Sequence, residues 1–336
     1  MLKHPRVFGY ILAALLALHS WAQTAIHWSD PSPHKTLFVP VEKNVQLEVL
    51  DWGGSGKPIV LLAGGGNTAH VFDDFAPRLT ASYHVYGITR RGWGASGFAP
   101  SNDPDRLGKD VMAVIDFLKL EKPILIGHSL AGAELSSAAN LRPDRIGCLI
   151  YLEAGYSYAF DNGKGSNIME MQKLQAPQPP PPTEADLASF EALHRYYERV
   201  NGFPFPEAEL REQREATPDG RVGKDRNPPG GQMLMNVIMG RDAKKYFHIP
   251  VPALFIFANP HSLGTWADEN TDPAVRSAAA AYSTALAPLT ERQVKAVEAG
   301  VPDAQVDTLP NAHHYVFLSN KEDVLRDMRA FLSKLR

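Results

Sequence analysis

The chain has very little cysteine and no strong excess of charge of either sign. Its 336 residues include one cysteine, Cys148, so no disulfide can form within the chain. The 34 Lys and Arg residues nearly balance the 37 Asp and Glu residues, which disfavours a nucleic-acid-binding protein because such proteins carry a basic excess. A hydrophobic content of 44% excludes collagen and a wholly disordered chain.

Long hydrophobic runs are also missing, since no stretch approaches the roughly 18 apolar residues of a membrane-spanning helix. An apolar run at 7–18 follows the basic residues Lys3 and Arg6, and small residues precede a possible cleavage point after Ala22. Residues 1–22 therefore have the features of an export signal, with an uncleaved anchor as the alternative. We expect an exported protein, periplasmic or secreted, with no stable membrane insertion after signal cleavage.

Short apolar runs typical of buried strands alternate with helical segments along the rest of the chain. The predicted strands lie at 35–41, 45–51, 58–63, 83–89, 123–126, 146–152, 253–258 and 304–309. Apolar residues spaced for one helix face occupy 107–118 and 324–332. We expect Asp103 to cap the first helix, and Ser319 with Glu322 to form a capping box before the second. This alternation predicts an α/β protein with a mostly parallel sheet.

Residues 155–248 interrupt the alternation. They contain no run typical of a buried strand, and a proline-rich stretch at 176–183 precedes an amphipathic helix around 185–200. We interpret the proline-rich stretch as a stiff surface connector, with a ligand for a proline-binding domain as the alternative.

A serine lies where a predicted strand meets the following helix. The sequence from Pro123 to Gly132, PILIGHSLAG, surrounds Ser129 with small residues, as expected for a nucleophile elbow in which the turn leaves no room for larger side chains. Ala131 replaces the last glycine of that pattern. A serine that only caps the next helix is the alternative interpretation.

This serine junction and the segments described next resemble those of the α/β-hydrolase superfamily. The resemblance covers nearly the whole chain after the signal, except residues 155–248. The run LLAGGG at 61–66 resembles the family's strand-end His-Gly-x motif, with Ala63 in place of the histidine. The resemblance implies that the backbone amides of Gly65 and Leu130 form an oxyanion hole, whereas an ordinary glycine-rich turn is the alternative. The turn TRRGWGAS at 89–96 is similar to another family motif, which we interpret as structural.

The segment LPNAHHY at 309–315 resembles the family's Gly-His-aromatic segment before the final helix. His314 comes directly before the aromatic residue, so the resemblance makes it the catalytic base, with His313 as the alternative. An imidazole suits this role because it can accept the serine proton and return it near neutral pH. No carboxylate or histidine set with ligand spacing accompanies this pair, so no metal is expected there.

Two carboxylates are candidates for the acid that would complete a catalytic triad with Ser129 and His314. In the family the acid usually follows the strand that corresponds to 253–258. Residues 259–264 contain no carboxylate, and Asp268 comes a few residues later. Glu153 ends the preceding strand at 146–152, and some α/β-hydrolases carry their acid after this strand. We therefore predict Glu153, with Asp268 as the second candidate and a merely salt-bridged Glu153 as the alternative.

The resemblance implies an α/β-hydrolase fold in which 23–154 and 249–336 form the core and 155–248 form a helical cap inserted after the sixth strand. Tyr156, Tyr158 and Phe160 either line the mouth of the pocket or belong to the core of this cap.

The expected function is that of an exported serine hydrolase of the carboxylesterase type. It would act on a small-molecule ester through an acyl-enzyme on Ser129, with no cofactor, no metal and no nucleic-acid partner. The serine disfavours a dehalogenase or epoxide hydrolase, in which the nucleophile is a carboxylate. A proline-type aminopeptidase, a thioesterase, a C–C bond hydrolase and a non-catalytic binding protein on the same fold remain as alternatives.

Overall fold

The computed structural model describes residues 28–238 and 246–335, so the signal predicted for residues 1–22 lies outside the described part of the chain. The strands are β1 (Lys35–Glu42), β2 (Val45–Gly53), β3 (Lys57–Leu62), β4 (Tyr83–Ile88), β5 (Ile124–His128), β6 (Cys148–Leu152), β7 (Arg214–Ala216), β8 (Val222–Asp225), β9 (Ala253–Ala258), β10 (His261–Ser262), β11 (Ala304–Leu309) and β12 (Ala312–His313).

The helices alternate with these strands over much of the chain. They are α1 (Arg106–Phe117), α2 (Ala131–Leu141), α3 (Ile168–Gln172), α4 (Phe190–Asn201), α5 (Glu207–Gln213), α6 (Gly231–Ile238), α7 (Thr265–Asp268), α8 (Pro273–Gly300), α9 (Val316–Ser319) and α10 (Lys321–Lys334). Short 3-10 helices occupy Ala69–Phe72, Ala76–Arg78 and Pro143–Arg145. Among the described residues, no helix is both long enough and apolar enough to cross a bilayer.

Eight strands form one sheet in the order β1-β2-β4-β3-β5-β6-β9-β11, which confirms the predicted mostly parallel α/β architecture. β1 pairs antiparallel with β2, and β2 pairs antiparallel with β4, whereas all other neighbours are parallel. The central strands β5, β6 and β9 are buried along their whole length, because their continuous apolar sequences meet packed helices on both faces.

The sheet separates two buried apolar clusters. Leu61 and Ile126 face the cluster that contains the apolar side of α10. Val60 and Leu125 point to the opposite face, where α1, α2 and the end of α8 cover the sheet. Because side chains alternate along a strand, each central strand contributes to both clusters, and the catalytic candidates at the strand ends are held by a core on each side.

The stretch 155–248 joins β6 to β9 and contains α3 to α6 with the short antiparallel pair of β7 and β8. Neither short strand is buried along its length, in agreement with the absence of a buried-strand pattern in this stretch. Phe190, Leu193 and Leu210 nevertheless belong to the same buried cluster as the sheet and α10. The stretch therefore packs its apolar helix faces onto the core beside the carboxyl-terminal part of the fold.

Both predicted helix caps are wrong in detail. Asp103 uses its carboxylate to accept the Asp105 amide and to pair with Lys109, and α1 begins after Asp105. Ser319 ends α9 and accepts the amide of His313, so Asn320 precedes α10 and no side-chain cap forms. In each case another hydrogen bond takes the side chain that the local pattern assigns to the cap: Asp103 binds an amide before α1 and a lysine within it, and Ser319 binds an amide that precedes α9.

The single cysteine gives a direct test of the packing of the central sheet. Cys148 begins β6, is fully buried, and burial raises the pKa of its thiol to about 12. Because the thiolate is the reactive form, we expect no labelling by a thiol reagent in the native protein at pH 8 and complete labelling after denaturation. Ellman's reagent with and without guanidinium measures this, and rapid labelling of the native chain would contradict the packing of β6.

Candidate active site

Ser129 occupies a sharp turn between β5 and α2. Its φ of 51° lies in the left-handed region, which costs a non-glycine residue about 1–3 kcal/mol and is found mainly at functional sites. The Ser129 amide donates to the Leu152 carbonyl at 3.1 Å, which ties the turn to the end of β6. A Cβ on Gly132 would lie 2.0 Å from the Ala154 carbonyl oxygen, so the turn requires glycine there. The strand, strained serine and helix form the geometry expected of a nucleophile elbow.

The structure brings Ser129, His314 and Glu153 together. His314 Nε2 lies 3.0 Å from Ser129 Oγ, and His314 Nδ1 lies 3.1 Å from Glu153 Oε2. A carboxylate can only accept hydrogen bonds, so Nδ1 carries the proton and Nε2 is left to accept from the serine hydroxyl. The three side chains therefore have the connectivity of a nucleophile, a base and an orienting acid.

Glu153 is fully buried at the end of β6, where its φ is 51°. Its carboxylate accepts the Ala258 amide at 2.7 Å and the Tyr156 hydroxyl at 3.1 Å, in addition to its contact with His314. Burial would raise the pKa of Glu153, but the imidazoles of His261 and His314 outweigh it and hold the pKa well below its ordinary value. Glu153 is consequently ionised and able to fix the tautomer of His314.

Asp268, the second candidate for the acid, lies elsewhere. It is exposed on α7 and accepts a hydrogen bond from the Ser262 hydroxyl. The segment after β9 instead places His261 near Glu153, because β10 and β12 form a short parallel pair that joins the loop of His261 to the loop of His314.

His261 was not identified from the sequence. Its Nε2 lies 3.0 Å from Glu153 Oε2, the same oxygen that contacts His314, but the atoms are not aligned for a hydrogen bond. Burial would lower the pKa of His261, yet the Glu153 charge raises it above the ordinary value. The only signal in the sequence is position, since His261 follows the strand after which an acid was expected.

His313 and His128 also surround the base. His313 accepts the Tyr315 amide, and burial together with the charges of His314 and His261 lowers its pKa to about 3. His128 is fully buried, which lowers its pKa well below the ordinary value, and its Nε2 donates to the His314 carbonyl at 3.0 Å. Both imidazoles are neutral at neutral pH, and His128 fixes the backbone from which His314 projects.

The glycine-rich loop after β3 lies against the elbow. A Cβ on Gly65 would lie 2.5 Å from Leu130 Cδ1, so a larger residue would displace Leu130. Within the described part of the chain, neither the Gly65 amide nor the Leu130 amide donates to a backbone carbonyl. Both amides therefore lack a backbone acceptor, as the donors of an oxyanion hole would.

A buried arginine holds this loop in place. Arg90 donates to the carbonyls of Ala63 at 2.6 Å and Gly64 at 3.1 Å, and it also pairs with Glu134 in the first turn of α2. The motif at 89–96 thus has a structural role here: its second residue joins the glycine-rich loop to the helix that begins at the elbow. The neighbouring Arg91 pairs with Asp110 inside the core.

The three aromatic residues after Glu153 take different positions. Phe160 packs in the core, and a Cβ on Gly300 would lie only 2.5 Å from its ring. Tyr156 binds Glu153. Tyr158 lies next to Ser129, and burial with the charge of Glu153 raises its pKa. Tyr158 also lines a cleft whose lining does not include Ser129 or His314. The other lining residues are Ser101, Asn102, Asp103, Pro104, Leu107, Gly108, Ala133, Glu134, Ser137, Met233, Asn236 and Tyr246.

A second buried carboxylate links the stretch 155–248 to the glycine-rich loop. Glu209 of α5 accepts hydrogen bonds from the side chains of Asn67 and Thr68 and from the Thr68 amide. Asn67 in turn accepts from the Tyr315 hydroxyl at 3.1 Å, next to His314. One network thus connects α5, the loop of Gly65 and the loop of the base.

The geometry agrees with comparisons to known proteins. A family model described as "Alpha/beta hydrolase family" matches residues 59–327. Over 89% of this chain and 99% of the other, the structure is similar to E-2-(acetamidomethylene)succinate hydrolase, with a TM-score of 0.60 and 18% identity. At that identity the likeness concerns the fold alone.

Curated relatives match over shorter segments. The chain is 33% identical over 115 residues to the dihydrolipoyllysine-residue acetyltransferase component of the acetoin cleaving system of Pseudomonas putida, covering 33% of this chain and 31% of that protein. It is 30% identical over 110 residues to the pimeloyl-[acyl-carrier protein] methyl ester esterase of Aliivibrio salmonicida, covering 33% of this chain and 41% of that protein. The matches thus span less than half the length of either relative.

The buried Glu209 gives a prediction for stability. Burial outweighs its hydrogen bonds and raises the pKa of Glu209 from 4.5 to about 7. The folded state then binds the proton more tightly than the unfolded state, so the free energy of unfolding falls as pH rises from 4.5 to 7, by about 3 kcal/mol. Urea unfolding of the wild type and Glu209→Gln at pH 5 and 8 should show that the variant lacks this loss.

The matched control is Glu207→Gln, which changes a half-buried carboxylate on the same helix that pairs with Arg211. This control should keep the pH dependence of the wild type. Parallel pH dependences in the wild type and Glu209→Gln would show that the buried carboxylate ionises normally.

Proposed function

Because the chain belongs to the alpha/beta hydrolase family, we propose that it is a serine hydrolase that cleaves carboxylic esters through an acyl-enzyme on Ser129. The observation that carries this proposal is the continuous contact from Ser129 through His314 to the buried Glu153. The match to a methyl ester esterase supports the choice of ester over other carbonyl substrates.

In the first half-reaction, Ser129 Oγ attacks the ester carbonyl carbon while its proton moves to His314 Nε2. The carbonyl oxygen becomes an oxyanion, and the unpaired amides of Gly65 and Leu130 donate to it. Glu153 stabilises the imidazolium without taking its proton. Collapse of the tetrahedral intermediate breaks the bond to the leaving alcohol, which receives the proton from His314, and leaves an acyl group on the serine.

In the second half-reaction, water replaces the alcohol. His314 Nε2 accepts a proton from the water as its oxygen attacks the acyl carbon, and the same two amides hold the second oxyanion. Collapse breaks the bond to Ser129 Oγ, which recovers the proton, and releases the carboxylic acid. No diffusible cofactor enters this sequence of steps.

We also propose that residues 155–248 act as the cap that selects the substrate. This stretch supplies Tyr158 beside Ser129, α6 on one wall of the cleft and Glu209 on the glycine-rich loop. Export remains a proposal that rests on the basic, apolar and small-residue order of residues 1–22.

The nucleophile is tested with a fluorophosphonate probe and short p-nitrophenyl esters. We expect the wild type to react at Ser129 and to hydrolyse esters, and Ser129→Ala to lose labelling and at least about a thousandfold in kcat/KM. The matched control is Ser262→Ala, which removes a hydroxyl near the site that contacts Asp268 and not His314.

A panel with thioesters and proline p-nitroanilide separates the alternatives. If Ser129 is labelled and esters are not hydrolysed, turnover of a thioester would indicate a thioesterase, and turnover of proline p-nitroanilide would indicate a proline-type aminopeptidase. A wild type that neither reacts with the probe nor exceeds Ser129→Ala on any compound would support a binding protein.

The acid is tested by near-isosteric substitutions of the two candidates. Glu153→Gln should lower kcat by at least about a hundredfold, because a neutral amide no longer fixes the His314 tautomer or stabilises the imidazolium. Asp268→Asn should change kcat less than about twofold. Thermal unfolding checks that both variants are folded, and a large loss confined to Asp268→Asn would overturn the assignment of Glu153.

A further inference from the structure

Two histidines and two aspartates from separate segments converge beside β2. Asp30 and His34 precede β1, whereas His70 and Asp73 belong to the short helix after the glycine-rich loop and the residue that ends it. One donor atom from each of these four residues, here named the His–Asp cluster, lies within 4.8 Å of the other three.

The histidine nitrogens lie 3.0–3.6 Å from carboxylate oxygens, close to the separations in a tetrahedral metal site, and Asp73 presents a different oxygen to each histidine. His34 Nε2 lies 3.0 Å from Asp30 Oδ2 and 3.6 Å from Asp73 Oδ1. His70 Nδ1 lies 3.2 Å from Asp30 Oδ2 and 3.1 Å from Asp73 Oδ2. Ligands about 2.0–2.1 Å from Zn²⁺ at the corners of a tetrahedron are about 3.3–3.4 Å apart. Small side-chain adjustments would therefore place an ion at the centre.

Neighbouring groups orient the cluster as an outer shell does around a metal. Glu48 Oε1 lies 3.9 Å from His70 Nε2, on the side of the ring that faces away from the other donors. Its Oε2 is buried and, among the described residues, has no hydrogen-bond partner. Ser32 Oγ at 2.7 Å and Trp52 Nε1 at 3.2 Å donate to Asp73 Oδ1, which leaves Oδ2 directed at His70. Hydrogen bonds such as those to Asp73 fix the direction of a metal-ligating carboxylate.

The cluster lies in a region of negative charge. Asp30 Oδ2 and Asp73 Oδ2 lie 3.2 and 3.1 Å from His70 Nδ1, and Glu48 Oε1 lies 3.9 Å from His70 Nε2. Three carboxylates thus surround this imidazole in a largely buried space, and a divalent cation bound there would offset their negative charge.

We propose that the His–Asp cluster binds one Zn²⁺ in a closed site with a structural role. Mixed nitrogen and oxygen donors favour Zn²⁺ over Ca²⁺ or Mg²⁺, which prefer oxygen ligands alone. Four protein ligands leave no position for water or substrate, which distinguishes a structural from a catalytic zinc site. The ion would fasten the segment before β1 to the short helix that follows the loop of Gly65, in a chain whose single cysteine cannot form an internal disulfide.

Zinc binding is measured on the full chain after removal of any affinity tag and of bound metal by a chelator. Titration with ZnCl₂ against a chromophoric chelator, with metal analysis of the dialysed protein, should give one Zn²⁺ per chain and a dissociation constant below micromolar. The midpoint of thermal unfolding should rise when Zn²⁺ is added and return when the chelator is added.

Two ligand variants and one control assign the site. Asp30→Asn and His70→Asn should weaken Zn²⁺ binding by more than about a hundredfold and abolish the zinc-dependent rise in unfolding temperature. His84→Asn should bind like the wild type, because His84 pairs with Asp51 outside the cluster. If His70→Asn does not fold, the near-isosteric Asp30→Asn decides the assignment.

The absence of stoichiometric Zn²⁺ in the wild type, or equal affinities in Asp30→Asn and His84→Asn, would overturn the proposal and leave the cluster as an ion-pair network with a protonated His70. Ser129→Ala should bind Zn²⁺ like the wild type, so the outcome is independent of the proposed esterase function.

Discussion

The burial of one charged carboxylate constrains the whole site. Glu153 is fully buried and ionised, and removing such a charge from water costs several kcal/mol unless partners replace the lost hydration. Its partners are the Ala258 amide, the Tyr156 hydroxyl and the imidazoles of His314 and His261. These groups come from the segment after β6, the segment from the end of β9 to β10, and the loop after β12. Compensation of a single charge thus fixes three segments relative to one another and, through His314, the direction of the base.

The oxyanion loop depends on a comparable arrangement around the elbow. Arg90 binds two carbonyls of the glycine-rich loop and pairs with Glu134 at the start of the elbow helix, which places Gly65 and Leu130 side by side. Glu209 approaches the same loop from the stretch 155–248. The loop that would supply one of the two proposed oxyanion donors is therefore held by buried polar side chains before substrate binds, as electrostatic preorganisation would require.

Local sequence patterns predicted the parts of the fold and site that depend on neighbours in the chain. Continuous apolar runs identified the central strands, and the elbow pattern identified Ser129. The contacts of His261 with Glu153 could not be predicted, because they arise when β10 pairs with β12 across about fifty residues of intervening chain. The His–Asp cluster could not be predicted either, because each of its two segments supplies only one histidine and one aspartate. The predicted helix caps were also wrong, because Asp103 pairs with Lys109 and Ser319 accepts the His313 amide instead.

The central claim is that the strained serine at the end of β5 carries the acyl group during turnover. Its most direct measurement is mass-spectrometric peptide mapping of wild-type protein quenched in acid within the first turnovers of p-nitrophenyl acetate. We predict acetylation of the peptide that contains Ser129, at a level that decays as deacylation proceeds. Hydrolysis without acetylation of this serine, or transient acetylation of a different residue, would contradict the assignment of the site.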